Sequence, residues 1–195
     1  MNTRSAIWIL LLSIFVFPSL LPAHQPILAI DRLFSQDQPF EIERPEISKA
    51  IYSELIGAPH FYRITSERRF DFYVGITKPK LDKCPLGKMF SFDVLDSDFG
   101  RIAEVNGDHF DWWPWFESFG KKWYWIGPEM GSNFKHTQVF DAGTYYIRVY
   151  NSSNRGHYVL AVGDIESFPV GAMFRMLRDL PKINNKFWKE ASCSS

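Results

Sequence analysis

Five of the seven tryptophans in this 195-residue chain lie close together. An exposed indole ring can stack on the face of a sugar, and several such rings along one strand or loop form a platform for a polysaccharide. The alternative is that these rings fill the core or cap its open end, because aromatic side chains bury much surface per residue. The candidate platform consists of Trp112, Trp113, Trp115, Trp123 and Trp125.

A group of aspartates lies at the end of a candidate strand. Asp93, Asp96 and Asp98 could supply oxygen ligands to calcium, which takes about six to eight of them. Asp108 and Asp111 form a second acidic pair. Neither group has EF-hand spacing, and aspartates in turns also bond to their own backbone. Calcium is therefore the only cofactor that the sequence suggests.

The signals for catalysis are weak. Asp111, Glu117 and Glu129 accompany the tryptophans, but glycoside hydrolysis needs two carboxylates at a set separation, which a sequence does not show. No Gly-x-Ser-x-Gly elbow supports a serine hydrolase. The five histidines are isolated, and His157 is expected to face out of a strand. We therefore expect a protein that is not an enzyme, with a hydrolase as the remaining alternative.

The C-terminal segment combines apolar and basic residues. Met173 and Leu177 recur at helical spacing, and Pro181 is expected to kink or stop the helix. A basic amphipathic helix can lie on an anionic membrane surface, or it can fold back on the domain. The residues expected to contact a membrane are Arg175, Arg178, Lys182, Lys186, Phe187 and Trp188.

The first residues have the order of a secretory signal. Arg4 precedes an uncharged run from Ala6 to Leu21, and Ala23 supplies a small residue at a cleavage site. The run is short for a membrane span. We therefore expect an exported protein that is cleaved after Ala23, with an uncleaved anchor as the alternative.

The chain has two cysteines, Cys84 and Cys193. In an exported protein such a pair suggests a disulfide, but Cys193 lies in a C-terminal segment that is expected to be mobile, so two unpaired thiols are the alternative. Asn151-Ser152-Ser153 is a glycosylation sequon in a predicted surface hairpin.

The elements that must position these residues are short strands. Alternation of apolar and polar residues, together with frequent turn formers, favours β-strands over helices. The stretch between residues 110 and 134 is less regular, because it is too apolar for a flexible loop and too interrupted by Gly and Pro for a single strand. Strands are predicted at 50–55, 60–64, 69–76, 90–95, 101–105, 136–140, 144–150 and 157–163.

This spacing is typical of an all-β fold, an antiparallel β-sandwich of the jelly-roll type. A signal helix is expected before it and a short helical tail after it. The chain then divides into a signal peptide at 1–23, an irregular lead-in at 24–45, the sandwich at 46–168 and the basic amphipathic tail at 169–195.

Two segments resemble the bacterial pre-peptidase C-terminal domain. The closing hairpin runs from Asp141 to Tyr150 and from Gly156 to Val162, and Ile51–Leu55 with His60–Ile64 is similar to the opening strands. The likeness extends roughly over 46–163. It implies a jelly-roll sandwich that accompanies secreted proteases and other exported enzymes. It also implies an accessory role, with calcium or polysaccharide bound in some members, and no catalytic residue to carry over.

Charge narrows the range of partners. The 22 basic and 22 acidic residues cancel, so the chain carries no strong field to attract nucleic acid, which is excluded as a partner. The sequence therefore predicts an exported, non-enzymatic module that binds a polysaccharide or an exported protein. The alternative is a structural envelope protein docked on a membrane by its tail.

Overall fold

The computed structural model describes residues 24–118, 120–131, 136–167, 169–191 and 193, and the expected signal segment lies outside these ranges. The described part is a β-sandwich, as expected. Its strands are β1 (Gln25–Ala29), β2 (Phe40–Glu41), β3 (Lys49–Ile56), β4 (His60–Ser66), β5 (Phe70–Phe72), β6 (Val74–Pro79), β7 (Ser91–Leu95), β8 (Arg101–Val105), β9 (Trp113–Glu117), β10 (Lys122–Glu129), β11 (Gln138–Phe140), β12 (Gly143–Tyr150) and β13 (Arg155–Val162). Helix α1 (Val170–Lys182) follows.

The strands form two main sheets and a small ribbon. The six-stranded sheet has the order β1-β3-β13-β6-β10-β9, the five-stranded sheet has the order β2-β4-β12-β7-β8, and β5 pairs with β11. The edge pairs β1–β3 and β2–β4 are parallel, and the other pairs are antiparallel. The chain changes sheet between β3 and β4, between β6 and β7, and between β12 and β13. This alternation is the jelly-roll topology.

The main core lies between the two sheets. Along β13, Tyr158, Leu160 and Val162 belong to this core, whereas Val159 belongs to a second apolar cluster on the outer face of the six-stranded sheet. Because successive side chains of a strand point to opposite faces, β13 contributes apolar residues to both faces of its sheet. The outer face needs a cover, and the C-terminal segment provides it.

A closed polar network lies inside the core. The Tyr158 hydroxyl is 2.6 Å from the Tyr62 hydroxyl and 2.9 Å from His60 Nδ1, which is 3.3 Å from Ser53 Oγ. All four residues are fully buried. Burial lowers the pKa of His60 to about 4 and raises the pKa of Tyr62 to about 12, so both groups are neutral at ordinary pH. The network therefore ties strands of both sheets together inside the core.

The lead-in is more ordered than the sequence indicates. Residues 24–45, expected to be irregular, contribute β1 and β2, which extend the two sheets at one end. Pro26 is tolerated because β1 is an edge strand, where a missing N–H breaks no central ladder. The prediction of a single strand at 69–76 also changes, since it divides at Tyr73 into β5 and β6.

The tryptophan-rich stretch, too interrupted in sequence for a single strand, forms two strands, β9 and β10, which pair as a hairpin. Residues from Trp113 to Glu117 pair in register with residues from Ile126 to Lys122. The register of β10 against β6 shifts between Ile126 and Glu129, at Gly127-Pro128. This shift marks a bulge, which is common near a sheet edge.

Pro181 does not end the C-terminal helix. It lies inside α1, and the chain continues as a π-helical segment, Ile183–Trp188. A proline removes one backbone donor, and wider π turns are one way in which helices accommodate such a disruption. Within the described residues, no helix is both long enough and apolar enough to cross a membrane.

The C-terminal segment is fastened to the sandwich at several points. Ile183 and Phe187 are buried against the outer face of the six-stranded sheet, and the Lys186 ammonium pairs with the Asp31 carboxylate. Cys84 and Cys193 form a disulfide with a Cα–Cα distance of 5.1 Å. The end of the chain, expected to be mobile, is therefore held against the loop between β6 and β7.

Candidate functional site

Strand β9 forms an unusual edge of the sandwich. It is the outermost strand of the six-stranded sheet and pairs with β10. Its first four residues, from Trp113 to Phe116, are exposed. Side chains on both faces of β9 therefore reach the surface.

Four aromatic side chains of this hairpin are exposed, and we call them the aromatic edge. Trp113 and Trp115 lie on the face that continues toward the C-terminal segment, and Phe116 and Trp123 pair across the other face. Their exposed fractions lie between 40% and 46%, values that are high for side chains of this size. The Phe116 and Trp123 ring centroids are 5.2 Å apart.

Lysine ammonium groups lie beside these rings. Lys80 Nζ is 5.6 Å from the ring centroids of Trp123 and Trp125, and Lys122 Nζ is 5.1 Å from that of Trp188. These distances fit cation–π contacts. The lysines therefore bring hydrogen-bond donors and positive charge to an otherwise apolar surface.

Two of the five predicted platform tryptophans are not exposed. Trp112 is buried in the main core, and its Nε1 donates to the Gly107 carbonyl at 2.9 Å. Trp125 is half-buried and packs against the same core. The prediction for Trp112 is wrong, because the chain enters the sandwich before β9 begins. Phe116, which is not among the five predicted residues, is exposed on the same hairpin.

Two of the three predicted calcium ligands, Asp93 and Asp96, are engaged elsewhere, and Asp98 is exposed. Asp93 is fully buried, and its carboxylate accepts from Arg148 Nε at 2.9 Å. Asp96 accepts from the backbone N–H groups of Asp98 and Gly100 and so stabilises its own turn. Among the described residues, no group of three or more His, Cys, Asp and Glu side chains could hold a metal ion.

The remaining polar candidates have local roles. The Glu117 carboxylate accepts from the Gly120 backbone N–H at 2.5 Å, and Glu129 contributes to a raised pKa of Tyr73, whose main cause is burial. The sequon residue Asn151 is buried, and its amide donates to the Arg155 carbonyl at 2.8 Å. His157 faces away from the main core, as expected, but Phe187 covers it with ring centroids 5.3 Å apart.

The structure also corrects the expected membrane-contact residues. Phe187 is fully buried against Tyr52, and half-buried Trp188 packs against Tyr124, with ring centroids 4.9 and 5.0 Å apart. Neither ring is free to enter a bilayer. Lys186 is paired with Asp31, as described above.

The other three basic candidates lie on α1 or at its end. Arg175 and Lys182 are exposed, and the Arg178 guanidinium bonds to the Asp179 carboxylate with Nε–Oδ1 at 2.8 Å. Arg175 and Arg178 also line a cleft of 430 Å³ between α1 and the first two strands. Glu41, Glu43 and Asp179 line the same cleft, so its charge is mixed and no ligand class is assigned to it.

Sequence reasoning missed the apolar residues that α1 exposes. Val170, Met173, Phe174 and Leu177 are all exposed, with Phe174 at 69% and Leu177 at 61%. They follow the i, i+3, i+4, i+7 pattern of one helix face. The pattern is present in the sequence, which leaves open whether this face packs on the domain or meets a membrane; in the structure the buried residue of α1 is Ala172, on the opposite face.

Comparisons with known proteins bear on the fold alone. No family model and no curated protein matches the chain. The pre-peptidase C-terminal domain of a collagenase from Bacillus anthracis is 12% identical, with a TM-score of 0.34, over 72% of this chain and 95% of that one. The catalytic domain of a GH87 α-1,3-glucanase in complex with nigerose is 12% identical, with a TM-score of 0.30, over 62% of this chain and 22% of that one.

Proposed function

We propose that this protein is an exported, non-enzymatic β-sandwich module that binds a polysaccharide through the aromatic edge. The observation that carries the proposal is the exposure of four large aromatic side chains on one hairpin. Burying such rings would stabilise the fold, so exposing them together gives no folding benefit. Contiguous exposed apolar patches on soluble domains commonly mark binding sites.

The chemistry of the aromatic edge suits a sugar chain. Flat indole and phenyl rings can cover the C–H face of a pyranose. Trp113 and Trp115, two residues apart on one strand, are separated by about 7 Å, so neighbouring rings can meet neighbouring sugar units. Lys80 and Lys122 add ammonium donors that can bond to sugar hydroxyl or carboxylate oxygens.

The absence of catalysis is part of the proposal. His60, one of the histidines with hydroxyl neighbours, lies in a network inside the core, and another, His24, pairs with the Ser48 hydroxyl. Glu117, the carboxylate beside the aromatic edge, bonds to the backbone of its own turn. Export is supported by the disulfide, because such bonds persist in oxidising compartments. Docking on a membrane, the alternative function, depends on a different surface, the helix α1.

The test is a glycan array followed by titration of any glycan that binds. The double variant Trp123→Ala, Phe116→Ala removes one face of the aromatic edge. We expect its affinity to fall at least tenfold, because ring contacts with a ligand contribute on the order of 1 kcal/mol each. Ile102→Ala, an exposed apolar residue of β8, is the matched control and should bind as the wild type does.

Two results would overturn this proposal. One is that the folded wild-type protein binds no glycan of the array. The other is that a glycan binds equally well to the wild type, to this double variant and to the Trp113→Ala, Trp115→Ala variant of the opposite face, which would place its site elsewhere. Near-ultraviolet circular dichroism of each variant shows whether the fold is intact.

A further inference from the structure

Helix α1 has two unlike faces. Its inner face meets the sandwich at Ala172 and lies beside β1. Its outer face exposes Val170, Met173, Phe174 and Leu177, which form one continuous stripe that we call the apolar stripe. A helix of a globular domain normally turns its apolar face inward. Here four large apolar side chains face outward, beyond what packing on the sandwich requires.

Basic side chains flank the apolar stripe. At about 100° per residue, Arg175, Arg178 and Lys182 fall together on one side of it. Between residues 169 and 191 the sequence has five basic residues and two acidic ones, Asp179 and Glu190. An apolar stripe bordered by positive charge matches the boundary between acyl chains and anionic headgroups.

The position of α1 in the fold adds an independent argument. The Gln25 side-chain amide donates to the Ser167 carbonyl, just before α1 begins. Gln25 opens β1, and in the sequence it follows the uncharged run from Ala6 to Leu21 closely. The first turn of α1, and with it the start of the apolar stripe, therefore lies close to the first described residues of the chain.

Self-association fits the stripe less well. A stable dimer buries about 800 Å² on each partner. Four side chains on one helix supply less than this area, whereas a membrane imposes no minimum area. In addition, a second copy would bring another set of basic side chains to the contact. The charge around the stripe thus favours an anionic surface.

We propose that the apolar stripe of α1 docks the domain on an anionic membrane surface. Val170, Met173, Phe174 and Leu177 enter the boundary region, and Arg175, Arg178 and Lys182 contact the headgroups. Phe187 and Trp188 stay on the sandwich and hold the helix in place. This function is separate from glycan binding, because α1 and the aromatic edge share no residue.

Vesicle flotation tests the proposal. The full chain and a chain that begins at His24, which keeps every described strand, are each mixed with vesicles of phosphatidylglycerol and phosphatidylcholine in equal parts or of phosphatidylcholine alone. We expect the shorter chain to float with the anionic vesicles and much less with the neutral ones. Phe174→Asp with Leu177→Asp should reduce the bound fraction at least tenfold, because two carboxylates replace apolar contacts and are repelled by anionic headgroups. The fold should be kept, because exposed side chains can be changed without disturbing the core.

Matched controls separate the apolar stripe from general effects. Ile102→Asp also replaces an exposed apolar residue, in β8, by a carboxylate. This variant should leave flotation unchanged. Arg175→Glu should weaken binding to the anionic vesicles alone, whereas Arg68→Glu, an exposed residue of the β4–β5 loop, should not.

Several results would overturn the proposal. The chain from His24 failing to float with either vesicle is one, and flotation that persists in the Phe174→Asp, Leu177→Asp variant is another. A concentration-dependent dimer that this variant abolishes, without flotation, would assign the stripe to a second copy. Glycan binding is measured separately, so its presence or absence does not alter these outcomes.

Discussion

At the scale of single residues, the buried imidazole of His60 is the group most sensitive to pH. It is enclosed by the Tyr158 hydroxyl and the Phe34 ring, and its Nε2 has no hydrogen-bond partner among the described residues. Neither of these contacts brings a carboxylate to the imidazole, where a negative charge would favour the protonated form. Burial alone therefore lowers the pKa of His60.

This depressed pKa predicts a loss of stability in mild acid. The pKa of His60 is about 4 in the folded protein and near 6.5 in the unfolded chain, so the unfolded chain binds more protons between these values. The free energy of unfolding should then fall as the pH drops from about 6.5 to about 4, by roughly 3 kcal/mol from His60. Urea unfolding at several pH values measures this slope.

Two variants test whether His60 causes this pH dependence of the free energy of unfolding. His60→Gln should flatten the pH dependence, while His109→Gln, on the exposed surface, should leave it unchanged. Burial also lowers the pKa of His157, which contributes a slope of the same sign that remains in the His60 variant. An imidazole of His60 that titrates near its ordinary value by nuclear magnetic resonance would contradict this account.

At the scale of elements, the approach of β10 to Trp112 depends on one glycine. A Cβ at Gly127 would lie 2.3 Å from Trp112 Cη2 and 2.8 Å from the Ile76 carbonyl oxygen. Because both neighbours are buried and one is backbone, Gly127→Ala should cost about 1–3 kcal/mol of stability. Thermal unfolding with tryptophan fluorescence reports both the loss of stability and the displacement of Trp112.

Gly171 in helix α1 provides the matched control for the substitution of Gly127. A Cβ at Gly171 would lie 3.6 Å from the flexible end of Arg175, and alanine is the better helix former by up to about 1 kcal/mol. Gly171→Ala should therefore keep or raise the unfolding temperature. Equal losses in the two variants would show that Gly127 is not a site of close packing.

The strands that the sequence predicted correctly are short runs rich in β-branched and aromatic residues, each bounded by turn formers. Strands β3, β4, β7, β8, β12 and β13 match their predicted ranges to within two residues. The sequence did not predict the β9–β10 hairpin, because Trp-Pro-Trp-Phe is apolar on both faces and shows no alternation of apolar and polar residues. The same double-sided aromatic character is what makes this hairpin the candidate site.

The C-terminal helix shows the opposite limitation. Its amphipathic pattern predicted a helix, but a pattern alone does not tell which face packs on the domain. Small Ala172 sits on the packed face and large Phe174 on the exposed face, which reverses the usual assignment. Likewise, the pairing of Cys84 with Cys193 depends on tertiary contacts of Ile183 and Phe187 that local sequence does not encode.

At the scale of the whole molecule, the disulfide is the covalent link between distant parts of the chain. It joins residues 109 positions apart, so it restricts the unfolded chain strongly. Replacing both cysteines, Cys84→Ser with Cys193→Ser, should lower the free energy of unfolding by about 2–5 kcal/mol. Urea unfolding of the wild type with and without a reducing agent measures the same quantity.

The double variant is also the control for this measurement. It should unfold at the same urea concentration whether or not the reducing agent is present. If the wild type also ignores the reducing agent, the two thiols are not joined in solution.

The position of the last two strands has a consequence for how this protein is made. Strand β12 lies between β4 and β7, and β13 lies between β3 and β6, so the centre of each sheet comes from the end of the sandwich sequence. A ribosome must complete residues 143–162 before either sheet can close, and contacts so distant in sequence form slowly. The nascent chain thus stays unfolded through most of its synthesis. A narrow translocation channel accepts a polypeptide only in that state, so the strand order is compatible with passage through one.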